Sequence, residues 1–90
     1  MVTVNGSWSG SENAWVSDVL KPTGDIWVEV ELPSKGYVVI RQIDHETKKA
    51  PKCYQSQFGE VFKLRVFYCD ANNIQIFTSL TPKRIEYANV

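Results

Sequence analysis

Glu29 and Glu31 stand two residues apart in a segment that reads as a strand, so their carboxylates point the same way. Such a pair can divide acid and base work, as in glycoside hydrolysis, provided a cleft drives the two pKa values apart. A small β-domain has little cleft to do so, and the pair reads as a solvated strand face. Asp44-His45-Glu46 holds the single histidine and resembles a ligand triple, but successive strand residues face opposite ways and do not converge on one ion. Cys53 and Cys69 add thiols without a Cys-x-x-Cys spacing, so no zinc site is expected, and in a reducing compartment both are free. Asp70, Asn72 and Asn73 lack the acidic count and the glycine of a calcium loop. Turn propensity already explains them. Without a phosphate-cradling loop, a nucleophile elbow or a triad, the expectation is a chain that is not an enzyme and uses no metal or cofactor.

Aromatic residues carry the stronger signal. In GDIWVEVELPSKGYVVIRQ, Gly24 to Gln42, alternation sends Ile26, Val28, Val30 and Leu32 to one face and Asp25, Trp27, Glu29 and Glu31 to the other. Trp27 thus falls on the polar side. Phe67 and Phe77 do the same in later strands, and three large rings on solvent-side positions suggest anchors in a protein interface or a stacking platform for sugar rings. The competing expectation is that loops or neighbouring strands fold over them. Of Trp8 and Trp15 in the Ser- and Gly-rich opening, one is expected inside a core this small and the other at an end or a binding loop.

The elements that must position these residues are short strands. Met1 to Val4, Asn13 to Leu20, Asp25 to Leu32, Tyr37 to Ile43, Cys53 to Phe58, Glu60 to Tyr68, Ile74 to Leu80 and Arg84 to Ala88 carry strand signals. Turn chemistry separates them at Asn5-Gly6, Lys21 to Gly24, Pro33 to Gly36, Asp44 to Lys52, Phe58-Gly59 and Asp70 to Asn73. Asn5-Gly6-Ser7 also matches a glycosylation acceptor and is read as a turn. Eight short strands predict one domain over residues 1–90, a small antiparallel β-sandwich of jelly-roll-like or Ig-like kind, with a small OB-like barrel as the alternative. A hairpin joining Glu60–Tyr68 to Ile74–Leu80 pairs Tyr68 with Ile74, Val66 with Ile76, Leu64 with Thr78 and Phe62 with Leu80, and sets Arg65 against Phe77. A hairpin turning at Pro33 to Gly36 leaves either Val38 and Ile40, or Val39 and Ile43, outside with Trp27.

Ninety residues with 43% hydrophobic and 12% aromatic content form one folded domain close to the lower size limit for a self-supporting core. Ten basic and ten acidic residues cancel, so no long-range field steers the chain to nucleic acid or an anionic membrane. The Lys48, Lys49 and Lys52 cluster reads as a solvated loop. No apolar run reaches the roughly 18 residues of a membrane span, and the N-terminus lacks a signal-peptide pattern, which suggests the cytoplasm or incorporation into a virion. The leading expectation is a structural or assembly protein, such as a phage tail or capsid-decoration subunit, that packs against itself or a larger partner. Trp27, Phe67, Phe77, Arg65, Val38 and Ile40 are its candidate interface residues. The alternative is a carbohydrate-binding module using Trp8 or Tyr54, with Trp27, for stacking and Glu29, Arg41 and Gln42 for hydrogen bonds. A single-stranded nucleic-acid platform of Phe67, Phe77 and Arg65 ranks third because of the zero net charge.

Overall fold

A computed structural model describes residues 1–43, 53–67 and 73–90. Among the described residues there are seven strands: β1 (Val2–Thr3), β2 (Gly6–Ser9), β3 (Ala14–Ser17), β4 (Ile26–Ile43), β5 (Cys53–Val66), β6 (Asn73–Thr78) and β7 (Arg84–Asn89). All pair antiparallel in one sheet of order β1-β7-β4-β6-β3-β2, with β5 added to the remaining edge of β4. The architecture is all-β, a strongly curled single sheet or half-barrel rather than a clear two-layer sandwich.

β4 is the spine. Over 18 residues it pairs with β5 along one edge, while the other edge takes β7 along Ile26–Glu31 and β6 along Val38–Ile43. Between Glu31 and Gly36 its register with β5 shifts, Glu31 facing Val61 and Gly36 facing Gly59, and the sheet bends there. The N-terminal segment spans the opposite side. β1 pairs with β7 and β2 with β3, and between them Val4 N–H donates to the Ile85 carbonyl (2.9 Å) and Asp18 N–H to the Asn5 carbonyl (2.8 Å).

The curl encloses the apolar face predicted by alternation. Ile26, Val28, Val30, Leu32, Val38, Ile40, Phe62, Val66, Ile74 and Ile76 are essentially without exposure and pack with Val4, Trp15 and Ile85. Each such side chain contributes about 1.5–3 kcal/mol by leaving water, an upper figure since unfolded chains bury some of this surface already. Buried polar groups are bonded: Ser17 Oγ accepts from Ile76 N–H (2.8 Å) and donates to the Asp18 carbonyl (2.9 Å), and Thr78 Oγ1 donates to the Leu80 carbonyl (2.7 Å). Gln42 Nε2 donates to the Phe67 carbonyl and Gln55 Nε2 to the Arg65 carbonyl (3.1 Å), tying the two ends of the bent β4–β5 ribbon together.

Four expectations are corrected. The eight short strands become seven because Asp25–Leu32 and Tyr37–Ile43 merge, as do Cys53–Phe58 and Glu60–Tyr68 over its described residues, while β2 is added. Pro33 to Gly36 is a bend within β4 and not a hairpin. None of the glycines has positive φ, so Gly36 supplies space instead of a turn conformation: a Cβ there would lie 2.5 Å from Ser79 Oγ. Pro33, lacking an N–H, falls where the ladder to β5 is interrupted anyway. The Glu60–Tyr68 and Ile74–Leu80 segments do not pair, because β5 and β6 occupy opposite edges of β4. Val66 faces Ile26 and Ile76 faces Ile40 instead. Val38 (0% exposed) and Ile40 (1%) are therefore core residues, not outer ones. Asp44 to Lys52, His45, Tyr68, Cys69, Asp70 and Asn72 lie outside the described residues, as do the side chains of Ile43, Cys53 and Tyr54.

Gly6 tests the close approach of β2 to β3. A Cβ at this position would meet the Val16 carbonyl oxygen and lie 2.6 Å from Trp15 Cζ2, whereas one at Gly10 meets nothing within 4 Å. Gly6→Ala should lower unfolding stability by about 1–3 kcal/mol, an overpacking cost, and Gly10→Ala by less than about 0.5 kcal/mol, measured by urea denaturation.

Candidate functional site: an aromatic face beside an edge strand

The outer face of the second half of β4 carries Tyr37, Val39 and Arg41. Tyr37 N–H donates to Ser79 Oγ (2.8 Å) and its carbonyl accepts from Ser79 N–H (3.0 Å), so both of its backbone groups turn away from β5. Its β5 partner is Phe58, and the two form a non-hydrogen-bonded pair, the type in which cross-strand side chains come closest. The rings meet with centroids 4.8 Å apart at 58°. Each residue remains 55% exposed. Beyond the bend, Val61 on the outer side of β5 is 69% exposed.

Tyr37 also forms one wall of a shallow depression of about 190 Å³ between β4, β6 and the β2–β3 turn. Val39 and Phe77 line it, with Ser79, Glu12 and Asn13 around them. Asn13 adopts φ 52°, the left-handed conformation that asparagine tolerates, in the turn between β2 and β3. Phe77 is only 8% exposed, and the Arg41 guanidinium lies 4.4 Å above its ring centroid. A second depression of about 310 Å³ lies over Trp15 between Val4–Gly6 and Pro82–Glu86, with Lys83, Arg84 and Glu86 among its walls.

The other sequence-predicted residues are dispersed. Trp27 is half-buried on the outer face of the first half of β4, with Lys63 Nζ 5.3 Å and the Arg65 guanidinium 5.9 Å from its ring. Arg65 sits against Trp27 and Phe67 (5.7 Å) and pairs with Asp25 (3.2 Å); Arg41, not Arg65, covers Phe77. Phe67 is 59% exposed. Glu29 and Glu31 are held by cations: Arg84 lies 3.6 Å from Glu29, and Lys83 lies 3.4 Å from Glu31. A hydrogen bond from Arg84 to Glu86, and then the nearby charges of Glu86, Glu29 and Glu31, raise its pKa above the ordinary arginine value against the opposing effect of desolvation. Gln42 is buried, with its amide committed to Phe67. Trp15 is inside, and Trp8, facing it across β2–β3, is 48% exposed. Trp8, Glu29, Arg41 and Gln42 do not converge on one surface.

Tyr37 is missed as a site residue because a hairpin at Pro33–Gly36 breaks the alternation that links it to Trp27, and Phe58 because Phe58-Gly59 reads as a turn. Counting in twos from Trp27 through Glu29, Glu31, Pro33 and Lys35 reaches Tyr37 on the same face. That unbroken count was the available signal. Comparison with known proteins adds no identity: no family model matches the chain, and no curated protein or solved structure matches it significantly.

The geometry separates a structural ring from available ones. Phe77→Ala should cost about 3 kcal/mol or more, as for a buried phenylalanine, while Tyr37→Ser or Phe58→Ser should cost less than about 1 kcal/mol, the scale of one cross-strand pair. Chemical denaturation of the three variants checks the ordering.

Proposed function

We propose that this chain is a non-enzymatic assembly module that packs against a protein surface, its own or a larger partner's, through the face built on Tyr37 and Phe58. The observation that carries the reading is the ring pair itself, Tyr37 and Phe58 in tilted contact at 4.8 Å and each 55% exposed. Rigid aromatics of this kind gain large apolar burial on docking at low entropic cost and are typical interface anchors. Val39 and the depression beside Tyr37 extend the apolar surface, and Arg41, Glu12 and Asn13 give it a polar rim.

The sugar-binding reading is weaker. Stacking needs an open ring face, and Arg41 lies over Phe77 while Lys63 and Arg65 approach Trp27. The nucleic-acid reading has Trp27, Phe67, Lys63 and Arg65 near one another, but Asp25 and Glu29 lie among them and offset the positive charge.

The double variant Tyr37→Ser, Phe58→Ser tests the proposal. Sedimentation across a concentration series, with partner capture measured in parallel, should show association weakened at least about tenfold relative to wild type, the loss expected when anchors are removed. Association unchanged in a folded double variant would contradict it, and tryptophan fluorescence changing on glycan addition would favour the sugar reading.

A further inference from the structure

The edge of β5 next to this face has no strand paired with it among the described residues, its one cross-contact being the Gln55 side chain on the Arg65 carbonyl. β5 pairs only with β4. Because Tyr37 turns its backbone groups away from β5, the ladder alternates from that point: Gln57 and Gln55 bond to Val38 and Ile40, whereas Phe58 and Ser56 direct both N–H and C=O to the open side. A row of outward backbone groups is the chemistry that recognises another extended strand.

The two parts of β5 treat this edge differently. Past the bend, Glu60, Lys63 and Arg65 supply charges of the kind that discourage edge-to-edge pairing. From residue 53 to 59 no side chain is charged, and Phe58 is exposed. The undefended part also has an internal symmetry: Tyr54-Gln55-Ser56-Gln57-Phe58 reads nearly the same in both directions. An antiparallel strand related by a two-fold axis through Ser56 pairs serine with serine, Gln55 with Gln57, and position 54 with Phe58. Outward backbone groups then meet outward backbone groups at 56 and at 54 with 58, so the hydrogen-bond phase permits the register that the palindrome selects. Glutamine amides opposite each other can donate and accept in turn; Gln55 uses its Nε2 on the Arg65 carbonyl and still has Oε1 to accept.

We infer that the occupant of this edge is a second copy of the chain, joined β5 to β5 across a two-fold axis at Ser56 to make one continuous sheet. The inference rests on the part of the assembly reading in which the chain packs against a copy of itself, and it places that contact on the edge beside the aromatic face. An interface of this kind is isologous and closes as a dimer, with no open edge left to propagate from this segment. The axis is perpendicular to the sheet, so the Tyr37–Phe58 pairs of both copies face the same way and form a single aromatic surface.

Two variants test it. Ser56→Pro removes an N–H that makes no bond to β4 and blocks the edge; the wild type should approach twice the monomer mass in sedimentation, while Ser56→Pro should stay at the monomer mass with association weakened at least about tenfold. Ser56→Cys, in a Cys53→Ser, Cys69→Ser background, should form a disulfide-linked dimer on mild oxidation, because hydrogen-bonded antiparallel partners have Cα atoms about 5.5 Å apart. Lys63→Cys in the same background should not. A wild-type chain that is monomeric throughout and gives no Ser56→Cys cross-link overturns the inference, and so does a dimer that survives Ser56→Pro. Should Ser56→Pro fail to fold, the cross-link decides alone. Tyr37→Ser separates the two readings. If it dissolves the oligomer while Ser56→Pro does not, the edge pairing is overturned and the aromatic face stands; the reverse pattern supports edge pairing and rejects the face as the source of association.

Discussion

The constraint on which the structure depends is the two-residue alternation of β4, carried without a change of face through 18 residues and a bend. A slip of one residue in any strand sends every later side chain to the opposite face. Here the bend takes up Leu32 to Lys35 on β4 against Glu60 on β5, and the even-numbered positions remain inside on both sides of it. β7 can then end and β6 take its place along the same edge of β4. The connection between them is pinned at its ends, Lys83 N–H bonding the Glu31 carbonyl (2.7 Å) and Ser79 N–H the Tyr37 carbonyl (3.0 Å).

That continuity divides the outer surface into two characters. On the first half, cross-strand rows place Lys63, Glu29 and Glu86 side by side and Glu31 beside Arg84. Arg84 bridges Glu29, Glu31 and Glu86 and Lys83 pairs with Glu31, ion pairs that are weak individually and screened by salt but keep the surface polar. On the second half the corresponding positions hold Tyr37, Val39 and Phe77, with Phe58 across from Tyr37, and Arg41 is the main charge. One strand thus presents a solvated face and an adhesive face, which is why Trp27, on the charged half, is approached by cations while Tyr37 is left open.

Much of this was legible in the sequence. Alternation identified the inner faces of Ile26–Leu32, of Phe62–Val66 and of Ile74–Ile76 because apolar periodicity is a local property. Pairing was not legible, since the same inward faces are produced whether β6 lies against β5 or against β4. Pro33 and Gly36 were misread because a bend within a strand and a hairpin turn use the same residues; only φ distinguishes a glycine chosen for conformation from one chosen for space. Phe77 shows a further limit. Its polar-side parity was read correctly, but its burial comes from its neighbours on the sheet and from Arg41, which the register of β4 with β6 brings over it.

Amide hydrogen exchange along β4 tests the account most directly. If one continuous strand unites both halves of the curled sheet, the amides of Val28, Val30, Val38 and Ile40 should share a single, slowest exchange free energy equal to that of global unfolding. Two separate levels of protection, one for Val28 and Val30 and another for Val38 and Ile40, would mean that the halves open independently and would contradict the continuous spine.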